Sequence, residues 1–382
     1  MLKVKIGELQ QQKEGFRAFI PGYFPPKGGF KFSHNIERKN DTATRLLGKL
    51  DGITQLLPDM DFFLFMYIRK DAASSSQIEG TKATMIDAIE AEAKVDSELP
   101  EDVDDILHYI KALNYGLARL KEFPFVLRFL RELHKELTAG ARATHFSSPG
   151  EFRESQNWIG GTRPDNAHFV PPPVNEMKQA LNDLENFIHA KNDILPLIKA
   201  GLAHAQFETI HPFLDGNGRT GRMLITFYLW KEQLLEKPVL FLSSYFKRHQ
   251  KVYYDRLDRY HEGEAEAWMD FFLDGVAEIA EEAMGTVLAI TKLREKDIMK
   301  IQSLSKRASE SAVLVLPQLY KMPIVNGAKI QEWTGFTRVG AQNLIDRFVS
   351  LGILRVRDEE KTYGKSYIYK EYVDIFTNEK KK

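Results

Sequence analysis

The sequence predicts a mainly α-helical protein with one short β-hairpin, ending in a helix-turn-helix that carries a wing. Three observations lead there. Apolar residues recur at helical spacing through most of residues 42–300. Residues 146–175 break that habit with a loop-like run of glycine and proline. Beyond residue 325 two short helical patterns are followed by two alternating segments.

The elements follow in chain order. Up to about residue 45 the chain is turn-rich, and PGYFPPKGGFKF predicts an irregular arm packed by its aromatics, neither helix nor long strand. From Thr42 to about Val95 the pattern is helical, opening with Leu46, Leu47 and Leu50 and continuing through DFFLFMYIRKDAASS and TMIDAIEAEAKV. Residues 102–122 and 125–137 read as two amphipathic helices, with Pro124 as the break. Within 146–175 the flanks of Gly160 and Gly161 predict a short hairpin. Helical spacing resumes over 175–191, 196–210, 218–236, 251–262 and 264–300, without a repeat of fixed period. Helices over 328–333 and 337–350, a turn at Gly335, and strands over 353–357 and 366–369 around DEEKTYGK have the order of a winged helix-turn-helix. The chain therefore divides into an N-terminal helical region, 1–99, a core, 100–285, and a tail, 300–382.

Composition narrows the function. The 382 residues include 53 basic and 53 acidic side chains, a net charge of zero, and 43% are hydrophobic. This length allows two or three domains with real cores and excludes disordered, collagen-like and strongly polyanion-coated classes. With no cysteine there is no disulfide framework, cysteine nucleophile or thiolate metal site. MLKVKIGELQQQKEG lacks the apolar segment of a signal peptide, and no run of about 18 apolar residues marks a membrane span. The expectation is a soluble, cytoplasmic protein without a membrane partner.

The segment that carries chemistry is HPFLDGNGRTGR, residues 211–222, a loop entering a helix. Gly216 and Gly218 permit close backbone approach, and the free N–H groups of the following helix form a nest suited to phosphate. Arg219 and Arg222, three apart, reach one face of the first turn. Asp215 is a hard oxygen ligand of the kind Mg²⁺ takes when phosphates carry it. His211 stands just upstream as a base. The lysine and hydroxyl of GxxxxGK(S/T) are absent, which excludes a P-loop. His204 and His211 lie seven apart, but without HExxH or a third ligand a zinc hydrolase is disfavoured and His204 reads as a packed core histidine.

This segment resembles the Fic-family signature HxFx(D/E)GNGRxxR and matches each specified position. The resemblance extends through AHAQFETI upstream and NWIGG…FVPPP, and covers roughly residues 100–285. It implies a Fic-type helical core that transfers AMP from Mg-ATP to a Ser, Thr or Tyr hydroxyl of a protein target. On that reading His211 takes the hydroxyl proton and Asp215 holds the metal. Gly216, Asn217, Gly218, Thr220 and Gly221 belong to the ATP site, and Arg219 and Arg222 bind the outer phosphates. Residues 157–161, with Trp158, Ile159, Gly160 and Gly161, would form a flap that pairs with the target's backbone. Within 242–257 the adenine contacts implied are Tyr245 or Arg248, while Tyr253 and Tyr254 are open to a core role.

SSSQIEG, residues 74–80, resembles the family's inhibitory motif (S/T)xxxE(G/N) through Ser75, Glu79 and Gly80. Its place before the core implies an N-terminal inhibitory helix from which Glu79 pairs with Arg222 where the γ-phosphate must sit. The alternative is a capping box over Ser76–Glu79. Glu79 also leaves open a two-way enzyme that removes AMP. A homodimer that stabilises the inhibited form stays open, with no residue to point to.

The tail is the basic part of a neutral chain, with 15 basic against 9 acidic residues over 300–382, a net +6. Arg338, Arg347, Lys361 and Lys365 would face DNA, but Asp358, Glu359 and Glu360 oppose phosphates there, so protein docking is the default. The rival from another class is a DNA-binding regulator that uses the core as a nucleotide sensor. A sensor needs nucleotide binding but no base, so turnover that depends on His211 separates the two.

Overall fold

The computed structural model describes residues 3–377 apart from 56, 58, 95–97, 142–147 and 361–363. The chain opens with a hairpin, β1 (Gly7–Gln11) and β2 (Arg17–Pro21), paired antiparallel from Gly7↔Pro21 to Gln11↔Arg17. The expected irregular arm is thus partly a two-stranded sheet. Its alternation is masked because only Ala18 and Phe19 are buried, Phe19 against Phe169 and His261.

Among the described residues ten α-helices precede the longest one: α1 (His34–Thr54), α2 (Met60–Ile78), α3 (Met85–Ala93), α4 (Val103–Arg119), α5 (Leu127–Thr138), α6 (Val174–His189), α7 (Pro196–Ile210), α8 (Asn217–Lys231), α9 (Ser243–Arg248) and α10 (Gln250–His261). The longest, α11 (Ala265–Gln302), lies along α1, and Lys39 of α1 joins Asp270 and Asp274 of α11 at 2.6 and 2.7 Å. Helix α1 starts at His34, eight residues before the expected Thr42, because Ile36 and Asn40 are already buried against the core.

Helices α7 and α8 form the centre. Residues 197–210 of α7 are all buried, as is almost all of α8 from Asn217 to Leu229, so neither shows an amphipathic stripe. The loop between them inherits a rigid frame on both sides.

The remainder runs α12 (Lys306–Lys321), β3 (Ile324–Asn326), α13 (Gly327–Thr334), α14 (Arg338–Ser350), β4 (Arg355–Val356), β5 (Ser366–Ile368) and α15 (Lys370–Thr377). The antiparallel sheet has the order β3-β5-β4. Asn326 and Thr337 cap α13 and α14 through their side chains, and Gly335 turns between them at φ +69°. Sequence spacing missed α12, β3 and α15. They close a core of Tyr320, Tyr369, Tyr372 and Phe376, and Phe376 meets Tyr67 of α2 at 5.6 Å between ring centroids. Arg357, after β4, contacts Glu90 of α3. Lys361 lies outside the described residues. Among the described residues no helix is long and apolar enough to cross a membrane.

Candidate functional site

The loop 211–216 leaves the C-terminal end of α7 and enters the N-terminal end of α8. His211 caps α7 in the left-handed region, φ +49° and ψ +61°, which a non-glycine residue rarely occupies. Its N–H donates to the Phe207 carbonyl at 3.0 Å, and its own carbonyl accepts from Arg153 Nε at 3.0 Å and Asn157 Nδ2 at 3.1 Å. The ring Nδ1 is buried and among the described residues has no hydrogen-bond partner. Burial, against the pull of the Glu79 carboxylate and with the Arg153 charge, holds this imidazole down to about 4. It is therefore a free base at neutral pH.

Asn217, the first residue of α8, closes the loop locally. Its Oδ1 accepts from the Phe213 N–H and its Nδ2 donates to the Phe213 carbonyl, both at 2.8 Å. Gly216 precedes it at φ +76°, which only glycine adopts without strain, so the first amides of α8 face the loop. A Cβ at Gly218 would stand 2.4 Å from Glu79 Oε1 and 2.9 Å from Arg222 Nη1, so a side chain there would displace the ends of that pair. Thr220 is fully buried and its Oγ1 has no partner.

Arg222 is 4% exposed and reaches back to α2. Its Nε donates to Ser75 Oγ at 2.8 Å, and its Nη2 to the Ser75 carbonyl at 3.0 Å and Glu79 Oε1 at 2.7 Å. Protein around Glu79 raises its carboxyl pKa, but the charge and hydrogen bond of Arg222, with Arg219 behind, reverse this and leave it lowered. Glu79 is thus an ionised partner of Arg222. The capping-box alternative does not hold: Ser76 lies inside α2 with its Oγ unpartnered, Glu79 follows the last turn, and the capping box is at Thr84 and Asp87. Gly80 leaves that turn at φ +101°. Arg219, 6% exposed, pairs with Asp215 at 3.2 Å and lies 3.9 Å from Asp105.

Residues 38–118 match the sequence model described as Fic/DOC family N-terminal, and residues 124–229 match that of the Fic/DOC family. Residues 38–229 thus carry the Fic/DOC N-terminal and Fic domains. Curated relatives include proteins named protein adenylyltransferase Fic from Aedes aegypti, 30% identical over 190 residues, and Drosophila willistoni, 26% identical over 253. These alignments cover 49% and 64% of this chain but 35% and 47% of those proteins, so the chain spans less than half of their length. Among solved structures, a Fic family protein from Desulfovibrio desulfuricans G20 aligns over 89% of this chain and 97% of its own, at TM-score 0.58 and 17% identity. A Fic-1 fragment from C. elegans aligns over 68% and 74%, at TM-score 0.52 and 17% identity. At these identities the likeness is one of fold.

Within this Fic core the segment expected to pair with a target is shorter than a strand. Ile159 forms a single antiparallel bridge to Phe169, with its N–H to the Phe169 carbonyl at 2.8 Å. Gly160 and Gly161, both at φ +68°, turn the chain directly afterwards. Trp158 and Ile159 are 38% and 37% exposed, available for contact. Tyr245 and Arg248 are engaged with α11 instead of the motif loop. Tyr245 packs over Gly275 and Phe271, and Arg248 pairs with Glu278 at 2.9 Å and Glu282 at 2.8 Å. Their acidic partners sit on a helix too remote in sequence to enter a motif-based reading. Tyr253 is core, its hydroxyl on His204 Nε2 at 2.9 Å, while Tyr254 is 44% exposed. His204 donates from Nδ1 to the Gly221 carbonyl at 2.8 Å and is fully buried, the structural role expected of it.

Three residues of the site escaped sequence reasoning. His134 of α5 stacks on Phe213 at 3.8 Å, accepts the Gly150 N–H at Nδ1 and donates from Nε2 to the Asp215 carbonyl at 3.0 Å. Arg153 is 2% exposed and donates only to carbonyls among the described residues. Glu208, 8% exposed, lies beneath Gly221 near Arg222, and burial lifts its carboxyl to about 8. Spacing could not reveal the first two, which come from other segments. Glu208 was legible as the one acidic side chain inside the apolar run AHAQFETI.

Proposed function

We propose that this protein transfers AMP from ATP to a Ser, Thr or Tyr hydroxyl of a protein target, itself included, and that Glu79 holds it at rest. The observation that carries this reading is the Glu79–Arg222 pair on the phosphate-binding turn of α8, beside a half-buried, neutral His211. His211 would accept the proton of the target hydroxyl as its oxygen bonds to the α-phosphorus. The bond from that phosphorus to the β-phosphate oxygen then breaks, and pyrophosphate leaves. The α8 amides and the Arg219 and Arg222 guanidiniums neutralise phosphate charge, the main requirement of such transfers. While Glu79 occupies Arg222, the outer phosphate lacks its cation and ATP cannot seat productively.

Among the described residues no group of three His, Asp or Glu side chains is arranged to hold a metal. Asp215 alone, 45% exposed, offers a carboxylate at the loop. That suits Mg²⁺ carried in with phosphates, whose remaining ligands are phosphate oxygens and water. The ion would neutralise phosphate charge there. The winged-helix reading of residues 300–377 rests on the β3-β5-β4 sheet and on the outward face of α14, where Arg338, Val339, Gln342, Asn343 and Arg347 are exposed. We place the protein in the cytoplasm, where its donor is abundant.

Intact-protein mass spectrometry after incubation with Mg-ATP, alone and with cell lysate, tests the reading. Glu79→Gly should gain AMP or label lysate proteins, wild type far less, and Glu79→Gly with His211→Ala should do neither. An inactive Glu79→Gly protein, or one whose activity survives loss of His211, refutes it.

A further inference from the structure

We propose that Arg153 is the positioning residue of this site: its guanidinium ties the catalytic histidine and the base of the 157–170 flap into one rigid unit. The inference rests on the transfer reading above and adds how the base is held against the target.

The geometry is that of a hub. Arg153 Nε donates to the His211 carbonyl at 3.0 Å and Nη1 to the Ser155 carbonyl at 3.1 Å. Nη2 donates to the Pro172 carbonyl and, at 3.5 Å, to that of Ile210. Its own N–H donates to the Pro212 carbonyl at 2.9 Å. Ser155 and Pro172 flank the flap on either side, and Ile210 and His211 end α7. One buried side chain thus joins three segments.

Two physical arguments give this a purpose beyond filling space. The last carbonyls of a helix have no intrahelical donor, and a cation is favoured at that end of the helix dipole. Arg153 supplies both to α7 at the residue held in the left-handed region. Secondly, its charge is compensated by carbonyl dipoles alone among the described residues, and burial lowers its pKa to about 10. A buried cation without a carboxylate is a costly plug where an apolar side chain would serve. Its five donors in a fixed plane reach carbonyls spread over several segments, which no apolar residue does and which the three donors of lysine, all on one atom, do over a smaller span. Asn157 backs it up, donating to the carbonyls of His211 and Phe213 at 3.1 and 2.8 Å.

The test uses the full chain carrying Glu79→Gly, then adds Arg153→Met, Arg153→Lys or Asn157→Ala. Two quantities are read: the rate of self-modification at saturating Mg-ATP, and the affinity for α,β-methylene-ATP, which cannot donate AMP. Displacing a reacting group by about 1 Å can cost about 100-fold in rate. Arg153→Met should therefore lose on the order of 100-fold in rate with analogue affinity unchanged within about threefold. Arg153→Lys should recover part of the rate, and Asn157→Ala should show the same split at smaller amplitude. If rate and affinity fall together, or the rate does not change, Arg153 is not a positioning residue. Should Arg153→Met fail to fold, the lysine and Asn157 variants decide by the same split. An inactive Glu79→Gly parent overturns the transfer reading itself, and this inference with it, whereas with an active parent any change in the split comes from Arg153 alone.

Discussion

Replacing Glu208 by glutamine should stabilise the protein at neutral pH, by an amount that depends on pH in a defined way. Glu208 is 8% exposed, its Oε1 has no hydrogen-bond partner among the described residues, and burial raises its pKa from 4.5 to about 8. In the folded protein it keeps its proton at pH 7.5, whereas in the unfolded chain it releases it. A raised folded pKa means that the stabilising contribution is complete below 4.5 and is lost as pH rises toward 8. Three pH units at about 1.4 kcal/mol each set an upper bound of about 4 kcal/mol on the loss at pH 7.5. Glutamine, neutral in both states, escapes it. Allowing for an amide that must also be accommodated beneath Gly221, the expected gain of Glu208→Gln is about 2–4 kcal/mol at pH 7.5 and below about 1 kcal/mol at pH 5. Urea unfolding of both proteins at pH 5, 6.5 and 8 measures it. A stability difference that does not grow with pH, or a wild type more stable throughout, refutes the protonated-Glu208 argument. The same titration has a functional counterpart. An ionised Glu208 near Arg222 competes with phosphate, so in a Glu79→Gly background affinity for α,β-methylene-ATP should fall above pH 8, and should not when residue 208 is glutamine.

Two other outcomes concern the frame around the site. Asn217→Ala removes both hydrogen bonds that close the 213–217 loop and deprives the buried Phe213 N–H of its acceptor, while the Phe213 carbonyl keeps its bond from Asn157; it should cost about 1–3 kcal/mol in urea unfolding, and a loss under about 0.5 kcal/mol would show the loop is held by other means. Arg357→Ala strands the Glu90 carboxylate, whose side chain is 7% exposed, and should cost about 3–5 kcal/mol, most of it recovered by adding Glu90→Gln; purely additive effects in that double-mutant cycle would show the contact is not a coupled pair.

The parts of the site that were readable in the sequence share a physical property. They interact over a few residues. The Gly216 turn and the first turn of α8 are contiguous, and Arg219 and Arg222 sit three apart on one helix. Such geometry follows from backbone and helix repeat alone, so a twelve-residue string specifies the turn, the helix entry and the side chains they present before any tertiary contact is known. The C-terminal hairpin and the two helices before it were readable for the same reason, through helical spacing, the turn at Gly335 and local alternation.

What escaped lies in pairings between distant segments. The N-terminal hairpin hides because its buried residues are few, and α12 and α15 because their partners are each other's aromatics. Ser75 and Glu79 meet Arg222 across more than 140 residues, so spacing allowed both a helix cap and a pairing with Arg222, and only the packing of α2 against α8 separated them. His134 and Arg153 arrive at the loop from elements with no motif of their own. Tyr245 and Arg248 are drawn to α11 by Phe271, Glu278 and Glu282. By itself the sequence determined which chemical groups sit on the loop 211–222, since local backbone geometry dictates their arrangement. Only the tertiary structure decided which of those groups are charged, which are occupied and what holds them still, because burial and charge pairing depend on neighbours that the chain brings from far away.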